Sequence, residues 1–371
     1  MISKILKIDW VLLLSTMLLL GVGLAVLYSI SMAKPSDESL SIFWRQMIFA
    51  GIGMVGMIFF AATNYQNFKL QSTPIYFLTL LVLIGVLIFG KNVRGTAGWI
   101  GIGTFHIQPV EIAKLSLIIF LASFISQKKM ELGETGRLIA SLILSGIMIF
   151  FVIKQPDFGS AMVLVGIWIG MTLVSGISTK KIIAIIISII LISITGWFFM
   201  QPYQKDRILS LVNPSAVDLR GAGYNVNQSM IAVGSGGLTG KGIGHGSQSQ
   251  LNFLPEKHTD FIFASIAEEL GLLGALFVVG LFGVMFYRMR LIAMSAPDNF
   301  GFLITVGIML MFFVQVFENI GMNIGIMPVT GIPLPLLSYG GSSLIVVMAS
   351  IGILSSINSR RETTISQDGG Y

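Results

Sequence analysis

Three polar clusters interrupt an otherwise apolar chain, and each holds side chains capable of chemistry. The first, Phe253-Leu-Pro-Glu256-Lys257-His258-Thr259-Asp260-Phe-Ile-Phe263, leads into an apolar run. Thr259 or Asp260 is expected to cap the helix that follows, whose positive end keeps Asp260 ionised, as a general base requires. A cap alone explains Asp260 as well, and it is the neighbouring Glu256, Lys257 and His258 that point to a site. The second cluster, Gln108-Pro109-Val-Glu111-Ile-Ala-Lys114, opens another apolar run. Pro109 suits a first helical turn and Glu111 suits its positive end. Glu111 and Lys114 lie three apart on one helix face, so Lys114, a turn deeper, must pair with Glu111, with another acid or with a ligand's phosphate. The third cluster, Gly331-Ile-Pro333-Leu-Pro335-Leu-Leu-Ser338-Tyr339-Gly340-Gly341-Ser342-Ser343, has too many prolines and glycines for a continuous helix. Non-helical backbone at membrane depth is tolerated only against protein or a wet cavity, so this stretch reads as a re-entrant segment, with Ser338, Tyr339 and Gly340 as candidate substrate contacts.

Other groups are weighed against packing roles. Lys91, Arg94 and Trp99 precede the second cluster, where a cation and an interfacial aromatic suit a lipid phosphate; aromatics at that depth also serve as plain anchors. Glu268 and Glu269 lie about two turns below Asp260 on the same helix and, like Glu318, are read as polar partners within a bundle. His245 and His258 lack the ligand spacing of a zinc site. Gly234-Ser-Gly-Gly-Leu-Thr-Gly-Lys241-Gly242 resembles a phosphate loop only loosely, because no strand precedes it and no Ser or Thr follows Lys241.

The elements that position these clusters follow from composition. Of 371 residues, 54% are hydrophobic and 11% charged, with mean hydropathy +0.86, whereas a soluble domain carries roughly a quarter charged residues. Lipid is therefore the solvent. With no cysteine, disulfides, thiolate metal sites and cysteine nucleophiles are excluded. The expected fold is all-α, with about ten transmembrane helices near 10–32, 46–63, 73–90, 109–126, 137–153, 159–176, 181–199, 261–286, 300–321 and 342–358. The fifth and sixth runs, divided by Lys154-Gln-Pro-Asp157, read either as two spans or as one broken helix. The run from Trp10 lacks a cleavage site and reads as a first span, not a signal peptide.

Net charge is +6, but the basic residues sit in short loops, a pattern of membrane orientation and not of nucleic-acid binding. Lys4, Lys7, Lys69, Lys128, Lys129, Arg137, Lys180, Lys181, Arg288, Arg290, Arg360 and Arg361 fall on the side of the termini, against Lys34, Arg45, Lys91, Arg94 and Lys154 opposite. Both termini are thus expected in the cytoplasm, with 359–371 a cytoplasmic tail. The chain reads as a single membrane domain with one long extracytoplasmic loop, 200–260, in which Tyr224–Val233 is expected as a surface helix and Gly234–Gly246 as a flexible turn region. Long loops of this kind usually carry function.

The stretches FLPEKHTDFIFASIAEELGLLG (253–274), FVQVFENIGMNIGIMPVTGIPLPLLSYGGSSL (313–344), QPVEIAKL (108–115) and QPDFGSA (155–161) resemble, in order and spacing along nearly the whole chain, the SEDS family (shape, elongation, division and sporulation), its elongation branch most of all. The resemblance implies a peptidoglycan glycosyltransferase of the bacterial cytoplasmic membrane that polymerises lipid II at its outer face. It implies a class B penicillin-binding protein transpeptidase as partner, alongside other elongation-complex membrane proteins, with lipid II and the growing glycan chain bound as substrates. Asp260 matches the catalytic acid, and Glu111, Lys114 and Trp99 match residues the family uses. No organic cofactor is implied. Arg94, Lys114 and a divalent cation, magnesium or manganese with ligands unknown, are the candidates to meet the departing diphosphate, with Glu256, Lys257 and His258 as further substrate contacts. Many relatives carry an acid eight positions before the catalytic Asp; Asn252 stands there, which argues against a two-carboxylate scheme. A lipid II translocase and a non-catalytic scaffold are the competing readings.

Overall fold

The computed structural model describes residues 9–32, 37–93, 96–102, 105–127, 133–199, 205, 209, 222–251 and 253–361. Arg94, Asn252, Lys4, Lys7, Lys34, Lys128, Lys129, the greater part of 200–221 and residues 362–371 of the expected tail lie outside them. The long helices fall where apolar runs long enough to cross the hydrocarbon layer predict them. They are α1 (Trp10–Met32), α2 (Asp37–Ala62), α3 (Gln66–Phe89), α4 (Pro109–Ser126), α5 (Glu134–Lys154), α6 (Phe158–Val174) and α7 (Thr179–Phe199), then, after the long connection, α10 (Ile262–Met294), α11 (Asn299–Asn323) and α12 (Gly341–Asn358). Within the connection lie α8 (Ala222–Ser235) and the single turn α9 (Ser247–Gln250). Eight of these helices are long and apolar enough to cross a membrane among the described residues. The fold is that of a polytopic all-α membrane protein.

Hydrogen bonds between chain-distant residues show that successive helices alternate in direction. One end of the bundle joins Gln108 to Asp157 and to Ser342. The other joins Arg288 to Asp9, Tyr65 to Asp298, Ser356 to the Thr63 carbonyl and Glu134 to Lys181. This arrangement needs α5 and α6 to be two antiparallel helices. Asp157 accepts from the Ser160 N–H and so restarts the helix after the break, and α5 and α6 pack on each other.

Close packing rests on small residues, as it must where lipid gives helices no hydrophobic reason to associate. A Cβ on Gly352 of α12 would stand 2.4 Å from the Met57 carbonyl oxygen of α2. The most enclosed spanning helices are α4, α11 and α12, whose windows are 72%, 67% and 83% buried, and these three form the middle of the bundle.

Two features depart from the sequence reading. Residues 91–107 form a small antiparallel sheet, β1 (Lys91–Val93), β2 (Thr96–Ile102) and β3 (Phe105–Ile107), in the order β1-β2-β3. Gly234–Gly246, expected as a flexible turn, is instead clamped to α10. That helix is broken at Gly271 (φ 69°, ψ −168°), and the N–H groups of Leu272 and Leu273 donate to the carbonyls of Gly237 and Leu238 at 2.9 and 3.1 Å. In return, the N–H groups of Lys241 and Gly242 donate to the carbonyls of Glu268 and Glu269, both at 3.0 Å. Backbone groups freed by the break are thereby re-paired, the condition for breaking a helix inside a bilayer. Likewise α8 is not confined to the surface: Val226 and Ala232 are buried, and the Ser229 hydroxyl donates to the Asn323 carbonyl at 2.8 Å.

Candidate functional site

Asp260 ends a tight turn. Glu256 takes a left-handed backbone (φ 46°), and its carbonyl accepts the N–H groups of Thr259, Asp260 and Phe261 at 3.1, 3.1 and 3.2 Å. Its carboxylate accepts the Thr259 hydroxyl at 3.1 Å. The expected capping by Thr259 or Asp260 gives way to this turn, which holds the Thr259 hydroxyl on Glu256 and places Phe261, without a side-chain cap, at the start of α10. The Asp260 main chain faces α11 instead, where its carbonyl accepts from the side-chain amides of Asn319 and Asn323 at 2.9 and 3.0 Å. Its carboxylate is left outside the helix cap, partly exposed and against Gly331, where a Cβ would lie 3.5 Å from Oδ2.

The segment 324–340 is non-helical and its Leu334, Leu336 and Leu337 are buried, as the re-entrant reading requires. A Cβ on Gly23 of α1 would approach the Leu337 carbonyl to 2.7 Å, so α1 covers the segment closely. Ser338 is stitched into backbone: its hydroxyl accepts the Leu334 N–H at 2.8 Å and donates to the Thr259 carbonyl at 2.6 Å. The Tyr339 N–H donates to the His258 carbonyl at 2.8 Å, and the two rings meet edge to face with centroids 6.2 Å apart. Gln46 fastens the same tip to α2, donating to the Ser338 carbonyl and accepting the Gly340 N–H at 3.1 and 3.2 Å. Ser338, Tyr339 and Gly340 therefore hold the Asp260 turn in place, and the partly exposed Tyr339 ring is the side chain of the three that remains available to a ligand.

Behind them stands a buried charged cluster. Lys114 donates to Glu111 at 2.7 Å, with both side chains almost wholly enclosed. Glu318 is 1% exposed, and among the described residues no donor sits within ordinary hydrogen-bond geometry of its carboxylate oxygens; the Thr330 hydroxyl and the charges of Lys114 and Asp157 are what act on it. Leaving a buried carboxylate without donors is costly, so this cluster marks a polar interior that packing alone does not explain. Its upper end is tied to the Asp260 region: Gln108 links Asp157 and Ser342, and Asn319, next to Glu318, donates to the Ile332 carbonyl at 2.7 Å.

The remaining predicted residues are placed as follows. Lys257 is buried and donates to the Ser249 carbonyl. Trp99 is half-buried on β2, paired in register with Lys91. Glu268 accepts from Lys241 at 2.9 Å and from the N–H groups of Gln248 and Ser249. Glu269 accepts from Ser29 at 2.7 Å and Gln250 at 3.0 Å. Both acids thus pin the long connection to the bundle, the packing role read for them. Gln46, Asn319 and Asn323 were not singled out in the sequence, although polar amides inside apolar runs are a signal of such ties. Among the described residues no three His, Asp or Glu side chains converge on a metal site.

Fold and site together define a polytopic helical membrane protein whose polar machinery gathers at one end of the bundle. The sequence matches the model of the cell cycle protein family of FtsW, RodA and SpoVE over residues 9–363. It is 39% identical over 350 residues to the peptidoglycan glycosyltransferase MrdB of Escherichia coli (strain K12), covering 94% of each chain. It is also 39% identical over 359 residues to the stage V sporulation protein E of Bacillus subtilis (strain 168), covering 94% of this chain and 96% of that protein. Among solved structures, RodA of Thermus thermophilus superposes with a TM-score of 0.71 at 26% identity, over 96% of this chain and 98% of that one. A chain from a peptidoglycan synthase complex, described as coordinating polymerization and crosslinking, superposes at 0.80 with 27% identity and the same coverage. The chain belongs to the FtsW/RodA/SpoVE family, the SEDS proteins.

Proposed function

We propose that this protein is a peptidoglycan glycosyltransferase that joins lipid II units into glycan strands, with Asp260 as general base. The reading rests on one observation above the others: a family match along almost the whole chain coincides with a partly exposed carboxylate, on a residue tied through its carbonyl to the helix that carries the buried Glu318. Asp260 takes the proton of the acceptor's 4-hydroxyl as that oxygen bonds to the donor's anomeric carbon. The bond from that carbon to the undecaprenyl pyrophosphate oxygen breaks, its electron pair leaves with the diphosphate, and configuration inverts in one step. One base is then enough.

Negative charge grows on the leaving group, and preorganised positive charge is what lowers such a barrier. Lys114 is completely enclosed and engaged with Glu111, so it acts on the diphosphate through its field and by fixing the start of α4, while Arg94 and Trp99 are the contacts proposed for the loop ahead of it. A magnesium or manganese ion carried in on the diphosphate would add to that positive charge and needs only one or two protein oxygens. The bias of Lys and Arg supports cytoplasmic termini, which puts Asp260 on the outer face, where exported lipid II is met. The likeness to a synthase complex that coordinates polymerization with crosslinking supports a class B penicillin-binding protein as partner. Purified full-length protein, given lipid II and a divalent cation, is expected to yield glycan ladders on a gel; persistence of monomeric lipid II alone, with and without the partner, would contradict the proposal.

A further inference from the structure

A polar cavity lies at the end of the bundle opposite Asp260, where the last turns of α4 and α6 meet the first turns of α5. It measures about 120 Å³ and is lined by Glu134, Arg137, Ser141, Thr172 and Ser175 over a floor that includes Phe124 and Leu138. Its charges do not cancel. Glu134 is already occupied, accepting from Lys181 and from the Ser178 N–H, both at 2.8 Å. Arg137, half-buried, has no side-chain hydrogen bond or ion pair with any described residue. Thr172 is 3% exposed, yet its hydroxyl has no partner among the described residues. Helical threonines usually return such a hydroxyl to the preceding turn, and a buried hydroxyl left unpaired costs free energy. The buried Ser141 hydroxyl is already engaged, donating to the Leu138 carbonyl at 2.8 Å and accepting from the Trp168 ring N–H at 3.2 Å.

An unpaired guanidinium above an unpaired buried hydroxyl, at the level where helices emerge from the bilayer, is the donor set for a phosphate oxygen. The volume admits a headgroup and excludes acyl chains, which would stay in the surrounding lipid. We propose that this cavity binds the phosphate of a net-negative membrane lipid, held by Arg137 and Thr172, at the end of the bundle away from Asp260. The proposal does not depend on the glycosyltransferase reading.

The test is native mass spectrometry of the detergent-solubilised full chain titrated with phosphatidylglycerol or with phosphatidylcholine. Wild type is expected to retain phosphatidylglycerol preferentially. Arg137→Met is expected to weaken that retention about tenfold, as loss of a charge-assisted hydrogen bond does. Arg137→Lys is expected to keep part of it, and Thr172→Val, which preserves shape, to weaken it several-fold without lowering the melting temperature. An arm with inorganic phosphate separates the sources: displacement of the lipid by phosphate, but not by chloride of equal ionic strength, would assign the same phosphate site to a soluble ligand. Equal retention of both lipids by wild type, or retention unchanged in both Arg137→Met and Thr172→Val, would overturn the proposal.

Discussion

Lys114 and Glu111 pose the sharpest question at the scale of single residues, because a buried ion pair is weak evidence for stability. Removing one partner strands the other's charge, so Lys114→Met alone is expected to cost about 3–5 kcal/mol and to lower the melting temperature steeply. Replacing both, Lys114→Met with Glu111→Leu, is expected to recover most of that stability, since apolar residues of similar size often substitute for a buried pair. Glycan synthesis is not expected to return with it. Calorimetry and a lipid II assay on the same preparations check both halves, and a double variant that regains activity along with its melting temperature would reduce the pair to scaffolding. The pair was legible in the sequence as one of the three partners open to Lys114, because a three-residue spacing puts it and Glu111 on one helix face. The role of Ser338 was not, since its two backbone partners, Leu334 and Thr259, are fixed only by the tertiary fold. The cap predicted at Thr259 or Asp260 failed for a related reason: the turn at Glu256 delays the start of α10 to Phe261 and holds the Thr259 hydroxyl, and a left-handed glutamate is not announced by its residue type.

Among elements, the break in α10 carries most of the architecture of the long connection. Gly271 has φ 69° and ψ −168°, a region close to glycine-only, and a Cβ there would stand 2.3 Å from the Gly240 nitrogen and 2.6 Å from the Leu238 carbonyl oxygen. Gly271→Ala is therefore expected to destabilise by at least about 1–3 kcal/mol and to release Gly234–Gly246 from the helix. Limited proteolysis within that segment, faster in the variant than in wild type, checks the release; unchanged cleavage and melting would mean the break is not what holds it. A glycine within an apolar run reads in sequence as a packing residue, so neither the break nor the clamped loop was foreseeable. The sheet over residues 91–107 was hidden by its short strands and glycines. The long helices themselves were plain, because the bilayer demands about 20 apolar residues for each crossing and leaves little freedom in where they lie.

For the whole molecule, alternation of the helices brings Asp260, Gln108, Asp157 and Ser342 to one end and Asp9, Arg137, Asp298 and Arg360 to the other, and the proposed orientation puts the first group outside. The chain lacks cysteine, so single introduced thiols report position without background. Cysteine in place of exposed Ser235 is expected to react with a membrane-impermeant maleimide added to intact cells, and cysteine in place of exposed Gly133 only after permeabilisation; the reverse pattern would turn the molecule over and remove Asp260 from the side where exported substrate waits. The central claim is tested most directly by the initial rate of lipid II polymerisation for wild type and Asp260→Asn at matched melting temperature. The substitution keeps the shape and the main-chain ties to Asn319 and Asn323 but cannot accept the proton, so a fall of about 10²–10⁴-fold is predicted. A folded Asp260→Asn protein that makes glycan strands at the wild-type rate would contradict the account.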